Sequence, residues 1–165
     1  MFEKISLDTW LKYENKSKDT KTTEDNYKNI TIPKRKTLLS AGYDFSCPMK
    51  VELNPGETKV IPTGIKVDLS ENGDNDGYYL SLYPRSSYGF KYGLRLDNTV
   101  GIIDADYYNN PSNEGHILVA VKVDKPITIE AGTSFCQGII HEYFIFENEI
   151  LPEDIRVGGI GSTDK

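Results

Sequence analysis

The chain has little of what most metal and redox centres are built from. Its 165 residues include only two cysteines and two histidines. Cys47 and Cys136 show no CxxC or related spacing, which excludes a zinc ribbon or a dithiol redox motif. They read instead as free thiols in a reducing compartment. His116 and His141 stand alone, in no HExxH pair or His/Cys cluster, so both read as satisfied surface or edge residues rather than ligands. Positive charge is also scarce, with 19 Lys and Arg against 25 Asp and Glu, a net charge of −6. That balance argues against a general nucleic-acid or membrane-binding surface. A long apolar run is missing too. The opening MFEKISLDTW has neither the apolar core of a signal peptide nor the length of a membrane span. The expectation is one cytoplasmic domain, with no nucleic-acid and no membrane partner.

What the chain does have is period-two patterning. Ile65, Val67 and Leu69 alternate with Lys66 and Asp68, and Tyr78, Leu80 and Leu82 repeat the pattern. The segments Ile117 to Val123, Ile127 to Ile129 and Gln137 to Phe146 are rich in β-branched and aromatic residues. Turn signals separate them: Asn54-Pro55-Gly56, Asn72-Gly73-Asp74, Asn109-Asn110-Pro111, Lys125-Pro126 and Ala131-Gly132. Short strands at this spacing predict an all-β sandwich or barrel. Only Leu7, Trp10 and Leu11 show helical spacing, which predicts one short N-terminal helix. The polar stretch Glu14 to Lys28 reads as a surface loop.

Chemistry concentrates in five segments. Val100, Ile102 and Ile103 form a short apolar run that delivers Asp104 to a strand end, with Tyr107 three residues on. A carboxylate so placed can polarise a water, and the ring can stack on a sugar or base. Pro84 pre-sets a turn presenting Arg85, Ser86 and Ser87, a fixed guanidinium and two hydroxyls suited to phosphate oxygens. The remaining segments are Ala41-Gly42-Tyr43-Asp44, Gly132-Thr133-Ser134-Phe135-Cys136-Gln137 and a glycine-rich tail, Arg156 to Thr163. The tail offers backbone N–H groups for wrapping phosphates, although no Gly-Lys-Ser/Thr makes it a Walker loop.

In order and approximate spacing these five segments resemble the motifs of the trimeric dUTPase (dUTP diphosphatase) family, over roughly residues 28 to 165. The resemblance implies a jelly-roll-like β-barrel with one short N-terminal helix. Residues 1–28 would form an N-terminal strand/helix and polar loop, and residues 155–165 a mobile C-terminal arm. It implies hydrolysis of dUTP to dUMP and pyrophosphate, with Asp104 orienting and deprotonating the water that attacks the α-phosphorus. Arg85, Ser86 and Ser87 would serve the phosphate chain, and Tyr107 would pack on the deoxyribose and leave no room for a 2′-hydroxyl. A hairpin from Asn98 through Ile103 to Asp104 would read the uracil edge with backbone groups. Asp44 and Gln137 would act through water on Mg²⁺ held mainly by the substrate's phosphates, a role that suits this cation. The family assembles as homotrimers with shared sites, so a monomer should be inactive. Its arm closes over the nucleotide of a neighbouring subunit, which would bring Arg156 to the γ-phosphate and Gly161, Ser162 and Thr163 around the phosphates.

The chain departs from the family pattern in places. Ile160 stands where a phenylalanine usually stacks on the uracil, and base–aromatic stacking is worth about 1–3 kcal/mol. Asp164 replaces a glycine and Ser134 an arginine. Two other activities stay open at this level. One is a dCTP deaminase of the same fold, with Glu114 as the nearest water-activating carboxylate, although its place after an Asn/Pro/Ser-rich insertion reads as a solvated loop. The other is a non-catalytic nucleotide sensor or protein-binding module, motivated by the altered arm and the charged N-terminal region.

Overall fold

The computed structural model describes residues 1–13, 22–70, 77–150, 156 and 158. In chain order these form β1 (Phe2–Lys4), α1 (Leu7–Lys12), α2 (Glu24–Lys28), β2 (Lys34–Arg35), β3 (Tyr43–Ser46), β4 (Val51–Leu53), β5 (Lys59–Pro62) and β6 (Ile65–Val67). Then follow β7 (Tyr78–Pro84), α3 (Ser86–Tyr92), β8 (Arg95–Leu96), β9 (Gly101–Ile103), β10 (Leu118–Lys122), β11 (Ile127–Ile129) and β12 (Ser134–Glu142). Among the described residues the fold is mostly β, 36% strand and 15% helix, in agreement with the alternating pattern. Among the described residues no helix is long and apolar enough to cross a membrane.

The expected helix at Leu7 is present as α1. Ser6 caps it, its Oγ accepting from Thr9 N at 3.2 Å, and Trp10 is fully buried beneath it. Two further helices correct the sequence reading. In the segment read as a loop, residues 14–21 lie outside the described residues, but Glu24–Lys28 is helical. Thr23 and Asn26 form a reciprocal capping box there, with asparagine in place of the usual Glu or Gln. The phosphate-motif turn also continues into α3, ended by Gly93 in the left-handed conformation (φ 66°).

The sheet that carries the site has the order β2-β3-β12-β7-β9. Its central strand β12 pairs antiparallel with β3 on one side and β7 on the other. A second sheet, β5-β10-β8, and the pairs β1-β6 and β11-β4 complete the strand pairing. Phe45, Leu80, Leu82, Phe135, Ile117 and Ile129 are buried between these layers. The strand expected over Gln137 to Phe146 starts earlier and ends at Glu142; beyond it Phe144 and Phe146 are exposed. The turn expected at Asn72-Gly73-Asp74 lies outside the described residues. Lys66, placed by the alternation on a solvent face, is buried, because its ammonium donates to Asn109 Oδ1 at 2.7 Å and Glu114 Oε1 at 2.9 Å.

Candidate active site

Strand register gathers three of the five motifs. Asp44 on β3 lies opposite Gln137 on β12, and Cys136 lies opposite Pro84 at the end of β7. The chain then turns into α3, with Arg85 N donating to Phe135 O at 3.1 Å and Ser86 and Ser87 opening the helix. Asp44, Arg85, Ser86, Ser87 and Gln137 thus line one cavity of about 230 Å³. Gly42 lines it too, and a Cβ there would collide with the Gln137 amide as it is placed, so a larger residue would displace that side chain. Lys36 and Ser40 complete the wall. Lys36 was not singled out from sequence. Its signal is the Lys34-Arg35-Lys36 run, which β2 brings alongside β3 with Lys34 opposite Asp44. Within the cavity Asp44 Oδ2 is buried, accepts no hydrogen bond, and sits 3.4 Å from Arg85 Nη1. A buried carboxylate oxygen served only by this long ion-pair contact is under-satisfied, and a hydrated cation would relieve it.

Asp104 lies elsewhere. β9 pairs with β7 through Leu80↔Ile103 and Leu82↔Gly101, which sets Asp104 beside Tyr79, six residues before Arg85. At a strand rise of about 3.3 Å per residue the two ends are roughly 20 Å apart. Asp104 is half-exposed and borders a separate cavity of about 270 Å³ with Tyr78, Tyr79 and Tyr143. Its carbonyl accepts from Tyr107 N at 3.1 Å, starting a 3₁₀ turn over Ala105–Tyr107. Arg156 binds here too: Nη2 is 2.8 Å from Asp104 Oδ2 and Nε 2.8 Å from Asp106 Oδ1. Its guanidinium lies 5.7 Å from the Tyr107 ring centroid. The arm's arginine therefore sits on the carboxylate and aromatic pair of its own chain, away from the Arg85 cavity.

Tyr107 is a buried residue whose ring is held from several sides. Its hydroxyl donates to His116 O at 3.1 Å and accepts from Asn113 Nδ2 at 2.8 Å, and burial pushes its pKa up. The hairpin expected from Asn98 to Asp104 does not form as one ladder. Asn98 lies in a turn joining β8, which pairs with β10, to β9, which pairs with β7, and within that turn Thr99 forms an isolated bridge back to Leu96 of β8. Thr99 takes a left-handed backbone there (φ 65°). Ile160, Gly161, Ser162 and Thr163, expected to close over the nucleotide, lie outside the described residues, while Gly158 is buried.

His116 is no surface residue. Its Nε2 accepts from Gly64 N at 3.0 Å inside the core, and burial pushes its pKa down to about 3. Glu114 is equally committed. Burial opposes its ionisation, but donors from Lys66, Ser6 and Thr9 prevail and bring its carboxyl down to about 2. Its oxygens are thus taken up by the fold, bound to Ser6, Thr9 and Lys66 rather than to a water.

A hydroxyl- and cation-lined cavity beside an under-satisfied carboxylate, on a β-sheet scaffold, is equipment for handling phosphate esters with a divalent cation. The chain belongs to the dUTPase family, whose model matches residues 28–164. Over 142 residues it is 44% identical to the deoxyuridine 5'-triphosphate nucleotidohydrolase of Lactococcus lactis subsp. lactis (strain IL1403), covering 83% of this chain and 91% of that protein. The crystal structure of dUTPase from Streptococcus mutans superposes with a TM-score of 0.67 at 36% identity, covering 89% of this chain and 98% of that one. A mutant dUTPase from phage phi11 of S. aureus, described as coordinating a structural Mg(II) ion, shares the fold at 24% identity and a TM-score of 0.58, over 76% of this chain and 92% of that one.

Proposed function

We propose that the protein hydrolyses dUTP to dUMP and pyrophosphate, lowering dUTP and supplying dUMP for thymidylate synthesis. Asp104 orients a water and takes its proton as the water oxygen bonds to the α-phosphorus. The bond from that phosphorus to the bridging oxygen breaks, and pyrophosphate leaves. Arg85, Ser86 and Ser87 bind the phosphate chain and stabilise the charge that develops on it. Tyr107 packs on the deoxyribose and excludes a 2′-hydroxyl, while backbone groups between Asn98 and Ile103 read the uracil. On the arm, Ile160 covers the base and Gly161, Ser162 and Thr163 wrap the phosphates. Arg156 must exchange Asp104 and Asp106 for the γ-phosphate, an exchange that frees the base only when nucleotide arrives.

The observation that carries this reading is the register of β3, β12 and β7, which gathers Asp44, Gln137 and Arg85 at one cavity. Asp44 and Gln137 would hold Mg²⁺ through water, and the under-satisfied Asp44 Oδ2 fits that role. When bound, the cation offsets charge on the phosphate oxygens. The separation of Asp104 from Arg85 along β7 supports sites shared between subunits, which the homotrimer implied by the family resemblance would supply, because one nucleotide can touch both only if they come from different subunits. Localisation in the cytoplasm accompanies this function.

The test is pyrophosphate release with Mg²⁺ from dUTP, dCTP, dTTP and UTP in parallel, with Asp104→Asn as control. Turnover of dUTP alone, lost in the variant, supports the reaction, the base and both specificity filters. Absence of turnover with every substrate would leave a nucleotide sensor.

A further inference from the structure

The family match begins at residue 28, yet the segment before it is fastened to the loop that carries Tyr107. β1 pairs with β6, which leads Ser6 and α1 across residues 107–116. Glu114 is the knot. Its carboxylate accepts from Ser6 N at 3.1 Å, Ser6 Oγ at 2.7 Å, Thr9 Oγ1 at 2.8 Å and Lys66 Nζ at 2.9 Å. Glu114 itself holds a left-handed backbone (φ 62°), a conformation that side chains rarely adopt unless neighbours enforce it. Gly115 follows at φ 80°, so close to the preceding turn that a Cβ would come within 2.8 Å of Tyr107 O. Further contacts tie the same two parts together. Tyr108 donates its hydroxyl to Glu3 Oε2 at 2.9 Å, and the His116 ring packs on Trp10 and Tyr13 with centroids 5.9 and 5.5 Å away. Through Asn113, whose Oδ1 accepts from Gly115 N and whose Nδ2 donates to the Tyr107 hydroxyl, the loop ends on the tyrosine itself.

We propose that Glu114 is a positioning residue for Tyr107, and that the N-terminal segment clamped on it sets the selectivity for deoxyribose over ribose. The inference rests on the sugar-facing role of Tyr107 given above. A wall that rejects one hydroxyl works only if it does not yield, and supporting contacts must hold such a group to within about 0.5 Å. Loosening the 107–116 loop lets the ring give way to a 2′-hydroxyl. Deoxyuridine nucleotide does not push on that wall, so its turnover suffers less.

The experiment measures kcat/KM for dUTP and UTP on the full chain as wild type, Glu114→Gln, Ser6→Ala/Thr9→Val and Tyr107→Leu. The double variant keeps the Glu114–Lys66 pair and carries the test if Glu114→Gln does not fold. A fall of about tenfold or more in the dUTP/UTP ratio, in Glu114→Gln or the double variant, is the expected result; steric differences of one group are worth that much. A merely structural role lowers both substrates together. An unchanged ratio in folded variants, with selectivity present in the wild type and lost in Tyr107→Leu, overturns this inference alone. Selectivity that survives Tyr107→Leu, or that the wild type lacks, overturns the tyrosine reading and the inference with it.

Discussion

The two ends of β7 hold their functional groups by different means. At the Pro84 end, backbone register does the work. Asp44, Gln137 and Arg85 meet because three strands pair in one alignment, and a one-residue slip would turn every side chain to the other face. At the Tyr79 end the sheet supplies only Asp104. The rest is a loop held by side chains, with Glu114, Asn113 and His116 bracing Tyr107 and Arg156 closing over the carboxylates. Register is hard to perturb by a single substitution, whereas a side-chain brace can be undone one group at a time. The Pro84 end, proposed to take the phosphates, is therefore the robust half of the site, and the Tyr79 end, proposed to take the sugar, the tunable one.

Substitutions in the two halves should separate them. Asp104→Asn is expected to lower kcat by about 10²–10⁴-fold with little change in KM, the signature of a lost general base. Arg85→Ala should lower kcat/KM by about 10²–10³-fold through lost stabilisation of phosphate charge. Co-assembly of these two inactive chains in equal amounts should restore about a quarter of the sites, since random mixing pairs a good Arg85 with a good Asp104 that often. Recovery of no activity would place both halves of each site in one chain.

Gly115→Ala should destabilise the protein by about 1–3 kcal/mol, because the new Cβ meets Tyr107 O on a left-handed backbone. Urea denaturation would show it, while Gly132→Ala, with open space around its Cβ, should lose only the cost of its backbone conformation. Acid should also strike the loop end. His116 stays neutral in the fold to about pH 3 but takes up a proton near its ordinary 6.5 when unfolded. Stability present above pH 6.5 is therefore lost as pH falls toward 3, and Glu114 adds to the loss between its ordinary 4.5 and about 2. Thermal midpoints at pH 7 and pH 5 should differ less in His116→Gln, whose amide oxygen can still accept from Gly64 N. Arg156→Ala is the smallest effect, within about 1 kcal/mol, because Asp104 and Asp106 are more than half exposed where they pair with it. A larger shift in the urea midpoint would mean that the arm is a structural part of the sugar end.

Much of the site was legible because its motifs are local. Pro84-Arg85-Ser86-Ser87 announces a turn with phosphate-binding groups, and the apolar run before Asp104 announces a strand end. Lys36 escaped notice because a basic run reads as a solvated face until β2 is seen beside β3. Helix α3 contains Gly89 and five aromatic or hydroxyl residues in seven, a weak helix by propensity that its docking beside β12 stabilises. Glu114 and His116 were read as solvated because each is an isolated polar residue in a loop. Their partners are 108 and 52 positions away, at Ser6 and Gly64.

By itself the sequence determined the mostly β architecture, most strand positions, the first helix and the family, because side-chain alternation, turn chemistry and motif spacing act over a few residues. Tertiary structure alone decided that Asp104 and Arg85 stand at opposite ends of one strand. It alone decided that Lys66 and His116 are buried, and that the N-terminal segment braces Tyr107. Those outcomes depend on register and on the desolvation of polar groups, and both arise only when segments distant in the chain come to share the same low-dielectric space.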